Sequence, residues 1–203
     1  MKGSFSSSAL AIAGFAILCL SSGAQALNLL TNPGFETGNL NGYTVTGVTT
    51  YTTVRTTPNT FGYIPHSGSY YLNFGTVGSD LLLSQTIATT PGVTYNFSAY
   101  LAGNGTSPSD FKLIVNGITK LTILPVPSQG YIQYSVSAVA IGTSTTFTLG
   151  LRNDPNYDAV DDLSVTAVTT AVPEPGALAL LVTSGLSGAG FLIRRRRQAH
   201  KVA

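Results

Sequence analysis

Between Leu27 and Val172 the chain offers few side chains for acid–base or metal chemistry: one histidine, His66, no cysteine, and seven carboxylates. A zinc centre built on two or three histidines is therefore excluded. Serines are plentiful, but no Gly-x-Ser-x-Gly elbow presents one as the nucleophile of a Ser-His-Asp relay. Glycoside hydrolysis needs two carboxyl groups facing each other across a bond. The candidates are Glu36, Asp80, Asp110, Asp154, Asp158, Asp161 and Asp162, and no spacing among them selects a pair. The sequence reads as a non-enzyme.

Threonine is the other conspicuous residue. Thr44-Val45-Thr46 and the pairs Thr49-Thr50, Thr52-Thr53 and Thr56-Thr57 suggest adsorption to ice as a minor reading. A flat ice-binding face needs such units at a constant period over several strands, and that period is missing. Threonine more simply suits solvated strand faces.

Charge narrows the partners. The whole chain carries a formal +2, yet Leu27 to Val172 holds only Arg55, Lys112, Lys120 and Arg152 against those seven acids, a net −3. The positive excess lies in Lys2, Arg194 to Arg197 and Lys201. No basic stripe is available for phosphates, so nucleic acid is not an expected partner. The only cysteine, Cys19, lies in the N-terminal segment, which leaves the rest to hold together without disulfides.

The elements that must position these residues are strands. In Val93 to Leu101 every odd residue is apolar or aromatic, and Phe111-Leu113-Val115 and Phe147-Leu149-Leu151 alternate likewise, the period of a half-buried strand. Asn116-Gly117 between two such runs is a strong hairpin signal, because both residues tolerate positive φ. Further strands are expected at Tyr43 to Val54, Tyr70 to Phe74, Leu81 to Ile87, Ile118 to Leu124, Tyr131 to Ser137 and Val160 to Val168. Pro91-Gly92 and Pro125 to Gly130 are read as turns. About nine strands and no capped helical window predict an all-β fold, a single antiparallel β-sandwich of the jelly-roll kind over residues 27–171.

Short blocks add a resemblance. The domain opens with Asn28-Leu29-Leu30-Thr31-Asn32-Pro33-Gly34-Phe35-Glu36-Thr37-Gly38 and Asn41-Gly42-Tyr43. It contains His66-Ser67-Gly68-Ser69-Tyr70-Tyr71-Leu72 and closes with Asp161-Asp162-Leu163-Ser164-Val165. This order resembles the jelly-roll modules of carbohydrate-binding families and galactose-binding-like domains. The resemblance implies one structural calcium ion, with Glu36 and Asp161 as ligands joining the first and last strands; carboxylates and carbonyls are the oxygens calcium takes. Adjacent strand residues point to opposite faces, so Asp162 is an alternative to Asp161 rather than an addition. It also implies sugar recognition on aromatic faces, for which Tyr51, Tyr63, Tyr100, Tyr131 and Tyr134 are candidates. The chain departs from the pattern in having no Trp, with Tyr43 where a Trp often follows Asn-Gly.

Both ends read as addresses. Lys2, the apolar run Ala9 to Leu20, and Ala24 and Ala26 at −3 and −1 before Leu27 form a signal peptide over residues 1–26, a helix cleaved after Ala26. At the other end stands Val172-Pro173-Glu174-Pro175-Gly176, stiffened by its prolines. The uncharged segment Ala177 to Ile193 follows. As a helix it would reach about 25 Å, short of a hydrocarbon core of about 30 Å. Arg194, Arg195, Arg196 and Arg197 then resist translocation and keep residues 194–203 cytoplasmic. This order over residues 172–203 resembles the PEP-CTERM sorting signal, which implies an exosortase acting at or near Pro173, Glu174 and Pro175. The expected course is export across the inner membrane, transient anchoring with the domain in the periplasm, and final residence at the cell surface or in extracellular matrix. The leading reading is a non-catalytic surface protein associated with exopolysaccharide; the alternative is a carbohydrate-binding module with defined glycan specificity.

Overall fold

The computed structural model describes residues 26–154 and 156–168. The expected signal helix, the Pro173–Pro175 motif, the apolar segment and the arginine block lie outside the described residues, and among those residues no helix is long and apolar enough to cross a membrane. Ten strands follow in order: β1 Thr44–Gly47, β2 Thr53–Arg55, β3 Tyr71–Phe74, β4 Leu81–Ala88, β5 Thr94–Asn104, β6 Ser109–Val115, β7 Ile118–Ile123, β8 Ser128–Val139, β9 Ser144–Asn153 and β10 Asp158–Ala167. They form two five-stranded sheets, β1-β4-β9-β6-β7 and β2-β3-β10-β5-β8, in which every strand pair is antiparallel.

Alternation decides what lies between the sheets. Leu81 and Leu83, Phe111 and Leu113, and Phe147, Leu149 and Leu151 come from the first sheet; Leu72, Phe74, Phe97, Ala99, Leu101, Val160 and Val165 come from the second. Phe97 meets Phe147 edge-on at 5.4 Å and stitches the layers together. Each large side chain so buried contributes about 1.5–3 kcal/mol, which stands in for the missing disulfides. Asn116 (φ 49) and Gly117 (φ 77) turn β6 into β7, as the dipeptide predicts.

Two expectations need correction. Tyr43 to Val54 is two strands in different sheets rather than one. The break comes at Gly47, in the left-handed region with φ 81, where an added Cβ would collide with the Asp80 carbonyl oxygen. The Pro125 to Gly130 turn is shorter than expected, since β8 begins at Ser128.

Candidate functional site

The outer face of the second sheet, turned away from the core, carries the site. Cross-strand partners share a face, so the register defines its rows. Thr53 faces Asn73, Asn73 faces Ala159, and Ala159 faces Ala102. One row on, Arg55 faces Tyr71, while Asp161, Tyr100 and Gln133 line up across β10, β5 and β8. An outer sheet face would ordinarily meet water, yet Tyr71, Ala102 and Ala159 are fully buried, with Tyr63 and Tyr131 packed against them.

The cover is the segment between β2 and β3. Asn59 folds it: its Oδ1 accepts the amides of Phe61 (2.9 Å) and Tyr63 (3.1 Å), and its Nδ2 donates to Asn73 Oδ1 at 2.8 Å. The Tyr71 hydroxyl donates to the Thr57 carbonyl and the Tyr131 hydroxyl to that of Ile64. This segment roofs the middle of the face and leaves a cleft of about 480 Å³ at the β2–β3 edge. Tyr51, Thr53, Arg55, Pro58, Asn59, Thr60, Asn73 and Tyr157 line it. Tyr51 sits in the left-handed region with φ 63 and keeps 58% of its surface exposed. The cleft thus offers two phenol rings, two carboxamides, hydroxyls and a guanidinium, and no carboxylate.

The five candidate tyrosines separate. Tyr51 alone lines the cleft. Tyr63 belongs to the roof, where burial first and the Asp158 charge second push its hydroxyl up to about 12. Tyr100 presents its face to His66, with ring centroids 3.8 Å apart. Tyr131 meets the same imidazole edge-on, and burial raises its hydroxyl far above the ordinary range. Tyr134 packs from the core side against Phe111. Arg55, Asn59, Asn73 and Tyr157 were not singled out from sequence. Arg55 alone had a usable signal, as one of four cations in the domain.

The acids gather at a second corner, around residues 66–70. Glu36 accepts the amides of Ser69 and Tyr70. Asp161 Oδ2 accepts those of His66 (2.8 Å) and Ser67 (3.4 Å), and Oδ1 that of Asp162 (2.7 Å). Gly68, with φ 61, leaves the space that the Glu36 carboxylate fills. The opening segment and the last strand therefore do meet. Asp161 and Asp162 do not point apart: a register shift in β10 after Asp161, with Asp162 at φ 47, brings both to the same turn. Asp162 accepts from Ser67 Oγ at 2.7 Å and lies 2.6 Å from His66 Nδ1. Burial first, with the Asp162 charge adding to it, pushes the Asp161 carboxyl up to about 7.

Two chemistries can be weighed at this corner. Ser67 bonds the carboxylate rather than the imidazole, so the three side chains are not wired as a nucleophile relay. Calcium fits in kind, because the corner concentrates three carboxylates against one histidine and every anionic ligand is oxygen. Among the described residues no three His, Cys, Asp or Glu side chains converge on one point that could hold a metal ion, so an ion here would draw on backbone carbonyls as well.

No protein-family model matches the chain, and no curated protein matches it. Solved structures do. A family 61 carbohydrate-binding module in complex with β-1,4-galactotriose superposes with a TM-score of 0.58 at 20% identity, over 70% of this chain and all of that one. A xylan-binding domain of family 22 gives 0.50 at 15%, over 71% and 98%. A tandem of two family 22 modules from Paenibacillus barcinonensis gives 0.50 at 20%, over 74% of this chain and 48% of that one. The chain is thus similar to carbohydrate-binding modules in its two-layer antiparallel fold.

Proposed function

We propose that the sandwich is a non-catalytic carbohydrate-binding module that takes a saccharide in the cleft between Tyr51 and Tyr157. The observation that carries this reading is the lining itself: aromatic rings to cover the apolar faces of a sugar, with the Thr53 and Thr60 hydroxyls and the remaining N–H donors of Asn59 and Asn73 to pair with its hydroxyls. From sequence alone a structural matrix role ranks first and glycan recognition second; the cleft and the fold likeness support the second. The full chain, purified in detergent, should be retained on at least one glycan of a panel spanning neutral and acidic polysaccharides. Tyr51→Ala should weaken that retention by about tenfold or more, since a central aromatic contact is commonly worth over 1.4 kcal/mol. No retention on any glycan would remove the reading.

The same proposal keeps the address. The module is exported behind residues 1–26, held briefly by residues 177–193, and released or re-anchored by an exosortase acting near Pro173 to Pro175. Surface-borne protein from the producing cell should then yield no peptide containing Phe191 or Arg194 by mass spectrometry; finding either in that form would count against processing. Calcium belongs to the proposal as a structural ion. Glu36 and Asp161 would hold it, and it would supply charge neutralisation and a bond between the two ends of the domain.

A further inference from the structure

We infer that the cleft is selective for an acidic sugar, a uronic acid unit of a polysaccharide, and that Arg55 is the residue that reads its carboxylate. This rests on the carbohydrate reading above and narrows it to a ligand class.

The assignment follows from where the cations go. Lys112 is held by Asp80 at 2.6 Å and Asp110 at 3.0 Å, and Arg152 by Asp154 at 3.1 Å. Lys120 stands exposed on β7, the edge strand of the other sheet. Arg55 makes no ion pair among the described residues, yet it lines the cleft, and none of the residues lining it with Arg55 is acidic. Its hydrogen bonds are long, Nε to the Thr57 carbonyl at 3.5 Å and Nη2 to Thr57 Oγ1 at 3.5 Å and the Pro58 carbonyl at 3.3 Å, and its other neighbour is the neutral Tyr71 hydroxyl. They orient the guanidinium without using its strength. A planar fork with spare donors is matched by a carboxylate, which it takes bidentately.

The acids nearest along the sheet do not answer it. Asp158 and Asp161 are fully buried and spend oxygens on the backbone amides of Asn104, His66 and Ser67. The net charge of −3 over residues 27–172 also argues for a local device. At long range it repels a polyanion, and that repulsion fades beyond a Debye length of about 8 Å in physiological salt. An acidic glycan is accepted where the one unanswered guanidinium is presented, with Asn59, Asn73 and Thr53 beside it for neighbouring hydroxyls.

Affinity electrophoresis of the full chain in detergent tests this. The background carries Arg194→Gln, Arg195→Gln, Arg196→Gln and Arg197→Gln, so that the basic tail does not itself bind polyanions. The gels contain polygalacturonate, alginate, carboxyl-reduced polygalacturonate, neutral galactan or dextran sulfate. At least one uronate polymer should retard the protein about tenfold more strongly than its carboxyl-reduced counterpart or dextran sulfate. Arg55→Gln should abolish that preference and Arg55→Lys should keep part of it. Equal retention with and without the carboxyl group, equal retention by dextran sulfate, or a preference that survives Arg55→Gln would overturn the inference. Retention by galactan alone would overturn it while leaving the carbohydrate reading intact, and retention by nothing would overturn both.

Discussion

Chelation of divalent cations is expected to lower the melting temperature of the full chain by roughly 5–10 °C, and Glu36→Ala to abolish that response. The expectation begins with electrostatics. Glu36, Asp161 and Asp162 each bond the turn at residues 66–70, and an added Cβ on Gly34 would lie 3.4 Å from an Asp162 oxygen, 3.7 Å from an Asp161 oxygen and 3.6 Å from the Glu36 Cγ methylene. The Asp161 and Asp162 charges repel one another, and Asp161 is also fully buried. A bound cation relieves both costs at once. It would also tie the opening segment, already bonded to β10 through Leu29, Asn28 and Pro33, to the turn before β3. A ligand at a hundredfold over its dissociation constant adds about 2.7 kcal/mol to the folded state. For a domain of this size that is worth several degrees of melting temperature. A melting curve indifferent to chelator would show that backbone amides alone hold the corner.

What the sequence made legible, and what it hid, follows from the range of the interactions. The period-two runs at Val93 to Leu101, Phe111 to Val115 and Phe147 to Leu151 became β5, β6 and β9, because one buried face suffices to write that pattern. The meeting of Glu36 with the last strand was legible only through resemblance, since nothing local to Glu36 points to residues 125 positions away. The division of Tyr43 to Val54 was hidden. Threonines and apolar residues continue on both sides of Gly47, and only the approach of the Asp80 carbonyl reveals why a glycine stands there. Asp162 was misplaced because strand alternation assumes an unbroken ladder, and a bulge voids that assumption locally. The cleft was the least legible feature. Its roof, between β2 and β3, has no period, and its wall residues are gathered from β2, β3 and the turn before β10. Tyr51 could be proposed as an aromatic, whereas Tyr157 and Asn73 acquire meaning only once the register brings their strands together.

Stability should fall, not rise, as pH is raised from about 4 to about 7, and Asp158→Asn should flatten that slope. Asp158 is fully buried at the start of β10. Its Oδ1 accepts the Asn104 amide at 2.8 Å, while its Oδ2 has no hydrogen-bond partner among the described residues. Burial, only partly offset by the Asn104 amide and the nearby Asn153 carboxamide, pushes the carboxyl up to about 7. An unfolded aspartate titrates near 3.9, so between the two values the folded state binds the proton more tightly. The stability contributed by the protonated form is complete below about pH 4 and is lost as pH rises to about 7. Each unit of displacement corresponds to about 1.4 kcal/mol, which sets an upper bound of about 4 kcal/mol for this one group. Asp161, pushed up to about 7 as well, and Asp110, also raised by burial, act in the same direction, so Asp158→Asn removes only part of the slope, whereas Asp154, held down by Arg152 and the Gly78 amide, acts in the opposite one and at lower pH. Urea titrations at pH 5 and pH 8 on the wild type and on Asp158→Asn isolate the Asp158 share. The readout is the difference between the two pH values rather than either stability alone, because the new amide brings hydrogen-bonding needs of its own. Identical slopes for the two proteins would mean that Asp158 is ionised, and solvated or paired, in the folded state. Asp158 adjoins Tyr157 in the wall of the cleft, and the Tyr157 carbonyl accepts Asn104 Nδ2 at 3.1 Å. The proton therefore stabilises the strand end that positions one of the two rings lining the cleft.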